Sequence, residues 1–340
     1  MKTIIFSFLL SFIFSNELLF AQPYPFGDSI NDGLTKETAY QIWTKEHLME
    51  LGDSINNIEW GKINWTTDKH FRLMQNIDNF TESIGWAIFL GYFHGGGKKI
   101  TVAIVNDPTS NPYIGPSLFG ASYGTIDSLI VDGFMDNING GIVSGNANNG
   151  SITNCVNNAN VSYSGIARSN SGIISNCINN GSITGIDRIG GIAGDNNGQI
   201  INCINTGKIT ATNSTGDNIF SGVGGIVGTS ANGHQDISNC INIGTVEGQG
   251  YVGGIVGLVR GMSPPAPPSP ITNCINYGLV TGTNGVGGII GNMFNSFINI
   301  TNCSNFGVVR GNSNVGCIAG ERNNGGTLIN NHYDKQMCGE

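Results

Sequence analysis

Gly253-Gly254-Ile255-Val256-Gly257, followed after an interval by Ile271-Thr272-Asn273-Cys274, is the stretch on which the fold turns, because both strings recur. The first returns as Gly190-Gly191-Ile192-Ala193-Gly194, Gly224-Gly225-Ile226-Val227-Gly228 and Gly287-Gly288-Ile289-Ile290-Gly291. Gly140-Gly141-Ile142-Val143 is an earlier copy, Gly165-Ile166-Ala167 a degraded one, and Gly316-Cys317-Ile318-Ala319-Gly320 a late one. The second returns as Ile152-Thr153-Asn154-Cys155, Ile174-Ser175-Asn176-Cys177, Ile201-Asn202-Cys203, Ile237-Ser238-Asn239-Cys240 and Ile300-Thr301-Asn302-Cys303. Leu328-Ile329-Asn330-Asn331 closes the series with Asn in the Cys place. A third string, such as Gly207-Lys208-Ile209 or Gly244-Thr245-Val246, follows each time.

Each unit reads as three short β segments separated by Gly and Asn turns. The period, from the low twenties to the mid-thirties, leaves no room for a helix with apolar residues every three or four positions. One such unit cannot bury its own Ile and Val. Stacked about 4.8 Å apart, successive units share a continuous core and pair their backbones with the coils above and below. A propeller wants about four strands per unit and a steadier period. The expected fold is therefore all-β, a parallel β-helix over residues 91–336, with Asn at a fixed place stacking as a hydrogen-bonded ladder. Residues 337–340 are a tail.

The segment before the repeats reads differently. Trp43 to Asn56 carries Leu48, Leu51 and Ile55 at helical spacing, with Thr44 as N-cap. An open strand edge invites pairing with another chain, so this helix is the expected cap of the first coil, within an N-terminal region spanning 22–90. Residues 1–21 read as a signal peptide: Lys2, an apolar run from Ile4 to Phe14, and a cleavage point after Ala21. The expected location is extracellular or at the cell surface, with no membrane insertion.

Composition narrows the function classes. The net charge is −8, and charged residues are 11% of the chain, under half the usual share of about 25%. Gly contributes 52 residues and Asn 45, yet 39% of the chain is hydrophobic, which excludes a disordered polar tail. The weak acidic balance argues against nucleic acid as a partner.

The Gly-Gly-Ile-Val-Gly string with Asn-Cys after it resembles the GLUG-motif repeat of secreted bacterial proteins. The lead-in is similar too: Ala39-Tyr40-Gln41-Ile42, Asn76-Ile77-Asp78 and Phe93-His94-Gly95-Gly96-Gly97. So is the close, Asn330-Asn331-His332-Tyr333-Asp334-Lys335-Gln336. Such repeats occur in adhesin-like surface proteins and in non-catalytic parts of IgA-specific metalloproteases. The resemblance implies a right-handed β-helix and no single activity.

Candidate chemistry is sparse. Gly222-Val223-Gly224-Gly225-Ile226-Val227-Gly228 superficially matches a dinucleotide loop, but no helix follows it and the string recurs at coil spacing. The five His, at 47, 70, 94, 234 and 332, form no His-Glu-x-x-His. Between 134 and 331 the few charges are scattered; Asp187, Arg188 and Asp195 are the closest group, and adjacent strand residues point to opposite faces. Trp43, Trp60, Trp65 and Trp86 are read as core and cap packing rather than sugar platforms. Cys155, Cys177, Cys203, Cys240, Cys274 and Cys303 occupy one place in the unit. In-register parallel stacking holds their Cβ atoms farther apart than the disulfide mean of about 3.8 Å, so they are expected as a buried ladder of reduced thiols. Cys317 and Cys338, about one coil apart, are the best candidate disulfide. Ser263 to Pro270 holds five of the ten prolines and reads as a projecting polyproline loop.

No cofactor or metal site is read from the sequence. The shortage of titratable groups points to a protein that is not an enzyme: a secreted or cell-surface, adhesin-like binder of a surface glycan or a host or matrix protein. The alternative is a carbohydrate-active β-helix enzyme, a polysaccharide lyase or glycoside hydrolase.

Overall fold

The structure, a computed structural model, describes residues 31–56, 65–105, 117–136, 140–212, 221–231, 236–260, 270–294, 298–323 and 326–338. The signal segment 1–21, Trp60, His234 and residues 263–269 of the Pro-rich insertion lie outside the described residues.

The chain is a parallel β-helix. One ladder of eleven strands runs from Tyr40–Ile42 to Thr327–Ile329, a second of nine from Ile84–Phe89 to Ala319–Asn323, and a shorter one of five from Ile189–Gly190 to Ser313–Gly316. A sixteen-stranded sheet completes the wall. Every pairing between these strands is parallel, as between Ile200 and Ile237 and between Ile237 and Ile271. Successive Ile, Cys and Val rungs point inward: Ile237, Cys240, Val246, Val252, Ile255 and Val256 of one coil are all fully buried. In the first coils the rungs are larger. Phe89 packs on Phe119 at 5.6 Å between ring centroids, and Phe93 meets Phe119 edge-on at 5.2 Å.

A complete coil holds five short strands rather than three: Ile237–Ser238, Ile241–Asn242, Val246–Glu247, Tyr251–Gly253 and Val256–Arg260. The Asn of each Asn-Cys pair makes the difference. Asn154, Asn176, Asn202, Asn239, Asn273, Asn302 and Asn330 all take φ between 51° and 56°, a left-handed corner that Asn tolerates better than most residues. Each corner ends one strand and turns the following Cys inward.

The ladder of carboxamides is built from a different Asn, two residues after each Cys. Asn157, Asn179, Asn205, Asn242, Asn276 and Asn305 are fully buried. Each Nδ2 up to Asn276 donates to the Oδ1 of the next, at 2.7 Å for Asn157 to Asn179 and 2.8 Å for Asn205 to Asn242. It also donates to the carbonyl two residues on, as Asn242 does to Gly244 at 2.9 Å. A second, shorter ladder runs Asn146 to Asn170 to Asn196, each step 2.8 Å.

Helix α1, Lys45–Asn56, forms where Leu48, Leu51 and Ile55 place one apolar face, all three buried. Thr44 caps it, its Oγ1 accepting the His47 N–H at 3.4 Å. The helix packs on Ile84–Phe89, the terminal strand of the nine-stranded sheet. There the Asn56 side chain accepts the N–H groups of Trp86, at 2.7 Å, and Ala87, at 3.2 Å. These donors would otherwise be an open edge. The stack itself begins at Tyr40–Ile42, paired in register with His70–Leu73. So the strands Tyr40–Ile42, His70–Leu73, Ile77–Phe80 and Ile84–Phe89, in the N-terminal region of the sequence reading, already belong to the stack. They lack the Gly-Gly and Asn-Cys strings because Phe and Leu fill the interior there.

Replacing Asn242 with Ala should cost at least about 2 kcal/mol, since it strands a buried donor on Asn205 and an acceptor on Asn276. Urea denaturation read beside amide exchange in the flanking coils checks this. A loss under about 0.5 kcal/mol would show that the ladder is not structural.

Candidate functional site

The polar residues of the first coils converge on one cleft of about 340 Å³, lined by Lys36, Arg72, Leu73, Met74, His94, Gly96, Lys98, Asp127 and Ser128. The register explains the convergence. Phe71, Phe93 and Ile126 point inward and are fully buried. Their chain neighbours Arg72, His94 and Asp127 pair in register and occupy the outer side of the same strands. Residues 33–38 fold across this outer face: His70 N donates to the Gly33 carbonyl at 2.8 Å, and the Arg72 guanidinium donates to the Lys36 carbonyl. The opposite wall is the turn at 95–98, closed by Lys98 N donating to the Gly95 carbonyl at 2.9 Å. Gly95 has no room for a side chain, because a Cβ there would lie 2.5 Å from the Leu129 backbone.

Two imidazoles share the site. His70 Nδ1 and His94 Nε2 are 2.9 Å apart, and His70 stacks on Tyr92 at 4.3 Å. His94 is only 8% exposed, and its Nδ1 has no hydrogen-bond partner. Burial, then the neighbouring His70 and Lys36, push His94 down to about 4; burial also lowers His70. His94 is therefore neutral at pH 7. Burial raises the Asp127 carboxyl, but hydrogen bonds from Asn154, Thr153 and Ser128 outweigh it and hold the group below its ordinary value. These bonds measure 2.9, 2.9 and 3.0 Å. Lys36, Arg72 and Lys98 have no carboxylate within ion-pair distance among the described residues. The cleft thus sets three cations and a neutral imidazole pair against one carboxylate whose lone pairs are already engaged.

The residues singled out from the sequence lie elsewhere. Cys155, Cys177, Cys203, Cys240, Cys274 and Cys303 are buried and unbridged, one per coil. Their thiols donate to backbone carbonyls of their own coil and of the coil before; Cys203 Sγ, for example, reaches Ile201 O at 3.4 Å and Ile174 O at 3.8 Å. Burial pushes the Cys177 and Cys240 thiols well above the ordinary range. Cys317 and Cys338 are joined in a disulfide that ties the last short helix to the stack.

Asp187, Arg188 and Asp195 do converge, contrary to the alternation argument. Arg188 lies in a bend with φ 50°, not in a strand, and its guanidinium reaches Asp187 at 3.7 Å and Asp195 at 3.2 Å. Burial raises the Asp195 carboxyl despite Arg188 and Arg168. The group is a half-buried ion-pair cluster rather than a solvated loop. Trp43, Trp65 and Trp86 are each 40–55% exposed, so they are not core residues; Trp65 stacks on Tyr40 at 5.4 Å. Among the described residues no three His, Cys, Asp or Glu are grouped to hold a metal ion.

No family model and no curated protein matches the chain. Among solved structures it is similar to a Bacteroides ovatus protein described as a "putative immunoglobulin A1 protease". That likeness has 19% identity and a TM-score of 0.44, over 90% of this chain and 78% of that one. That description contradicts the sequence expectation that the chain is not an enzyme, which is withdrawn; a likeness of this degree assigns no activity to this chain. The physical ground of the expectation also gives way. It rested on charges counted after residue 134, and the titratable cluster lies before it.

Two measurements check this geometry. The six ladder thiols should label slowly in the native state and fully after denaturation, with the Cys317–Cys338 pair released only by reductant; rapid native labelling of more than one thiol would contradict the packing. The second concerns pH. With His94 depressed from 6.5 to about 4, the unfolded chain takes up a proton before the folded one does. Stability from this group is thus complete above about pH 6.5 and declines as pH falls toward 4. His94→Gln should flatten the melting temperature over that window, and an unchanged slope would count against the buried neutral imidazole.

Proposed function

We propose that the chain is an exported, adhesin-like binding protein related to the GLUG-motif repeat proteins, and that its partner, a surface glycan or a host or matrix protein, is engaged at the cleft between residues 72–74 and 95–98. The observation that carries this reading is the convergence of Lys36, Arg72, His94, Lys98 and Asp127 on a stack otherwise poor in charge. Support for export comes from the segment 1–21. No helix among the described residues is long and apolar enough to cross a membrane. The β-helix contributes rigidity, because its interior amides are paired coil to coil and the cleft walls sit on strands locked in register. One shallow site of this size gives modest affinity, so firm attachment needs many copies on one surface.

A second reading, a carbohydrate-active β-helix enzyme, draws support from the same cleft, where a neutral imidazole and an ionised carboxylate lie together, as acid–base chemistry requires. The test is a glycan and host-protein array run beside reducing-sugar and lyase assays on acidic polysaccharides. Binding that is lost in Arg72→Gln is the expected result. Oligosaccharide release abolished by His94→Gln would move the assignment to the enzyme. Absence of both binding and turnover would defeat both readings.

A further inference from the structure

We propose that the cleft recognises an oxyanion, the carboxylate or sulfate of an acidic sugar residue, held by Arg72, Lys36 and Lys98 with the His94 ring as a further donor. This rests on the reading of the cleft as the binding site and adds the chemistry of its ligand. The net charge of the lining is positive on a chain whose total is −8, so an anion is drawn to this place and repelled from most others. Glu37 is held below its ordinary value first by its own backbone N–H and by Thr35, and then by Arg72 and Lys36, and among the described residues it makes no ion pair with either. Asp127, the one carboxylate of the lining, has its oxygens engaged by Ser128, Thr153 and Asn154 and offsets only one of the three cations.

His94 supplies the independent sign of a ligand. More than nine-tenths buried, it leaves Nδ1 without a partner, one of a few buried side-chain atoms so placed among the described residues, and its ring lines the cleft. In the tautomer where His70 Nδ1–H donates to His94 Nε2, the His94 proton resides on Nδ1 and that nitrogen is a donor awaiting an acceptor; the opposite tautomer would make it an acceptor, and the imidazole resonances distinguish the two. Arg72 adds a planar fork suited to carboxylate and sulfate. The volume of about 340 Å³ is at the low end of ligand pockets, room for one acidic ring and not for the face of a folded partner.

The experiment titrates the full mature chain with a uronate-containing disaccharide, a sulfated disaccharide, the neutral disaccharide of the same linkage, and inorganic sulfate. Calorimetry and the imidazole resonances of His70 and His94 are the readouts. The acidic disaccharides should bind at least tenfold more tightly than the neutral one, shift the His94 resonances and weaken as salt rises. The expected loss in Lys98→Gln and in Arg72→Gln is about five- to tenfold each. The turn at 95–98 is held by the Lys98 backbone, which the substitution leaves in place, so this variant keeps the test valid if Arg72→Gln fails to fold. Equal binding of the neutral sugar, or binding untouched in Lys98→Gln, overturns the proposal; inorganic sulfate binding as tightly as the acidic sugars overturns its glycan part. The array separates this from the broader reading. Partners retained by Lys98→Gln and Arg72→Gln would sink the oxyanion and the cleft as the binding site, and leave only an exported binding protein with its site elsewhere. An acidic sugar in the cleft with no partner on the array would do the reverse.

Discussion

The column of buried Asn side chains is the constraint that sets the rest of the stack. Each carboxamide spends one N–H on the next Asn and the other on the carbonyl two residues along its own chain, as Asn205 does with Asn242 and Gly207. Such a column exists only when coils stack in register, because a shift of one residue would bury the amide against hydrocarbon with nothing to bond. It also dictates what faces it. A Cβ on Gly191 would lie 2.5 Å from the Asn205 carboxamide, and one on Gly225 would lie 2.3 Å from that of Asn242. The Gly-Gly-Ile string and the Cys-x-Asn string are therefore two sides of one contact, and each explains why the other repeats. Loops between these points carry no such constraint, so successive ladder Asn are 22, 26, 37, 34 and 29 residues apart.

The ladder starts at Asn157, and the residue paired with it in the coil before is Val131. Toward the N-terminus this column is hydrocarbon, with Ile100 beneath Val131 and the Phe71, Phe89, Phe93 and Phe119 cluster in the same coils. Helix α1 closes this end, and Asn56 repeats in miniature the task of the ladder by satisfying edge N–H groups with a carboxamide oxygen. Residues 33–38 wrap the outer face at the same end, and that wrapping converts an exposed strand surface into a cleft.

The repeats made the architecture legible, since strings recurring at coil spacing with inward Ile permit few folds. The helix was legible from Leu48, Leu51 and Ile55, and its cap from Thr44. The five-strand coil was not, because the left-handed turn at Asn239 is invisible in a string that reads Ile-Ser-Asn-Cys-Ile-Asn as one extended segment. Likewise the Arg188 bend defeated an alternation rule that holds only inside strands. The cleft was missed because its residues lie in coils without the repeat strings. A signal was nonetheless present. Phe93-His94 and Ile126-Asp127 align with Ile152-Thr153, Ile174-Ser175, Ile237-Ser238, Ile271-Thr272 and Ile300-Thr301, and the strand pairing follows that alignment.

That alignment also explains why His94 must be neutral. One outward column runs through Arg72, His94, Asp127 and Thr153, successive coils about 4.8 Å apart. Later coils fill the column with Ser, Thr and Ile, which neither attract nor repel along it. In the first coils a guanidinium sits on one side of His94 and a carboxylate on the other. The carboxylate favours an imidazolium, though Asp127 is also turned to Ser128, Thr153 and Asn154. Burial opposes protonation most, followed by the second imidazole and the positive charge of Lys36 and Arg72, and together they outweigh Asp127. The stack that places these groups on adjacent rungs also fixes their protonation, and among the described residues leaves Lys36, Arg72 and Lys98 without a carboxylate at ion-pair distance.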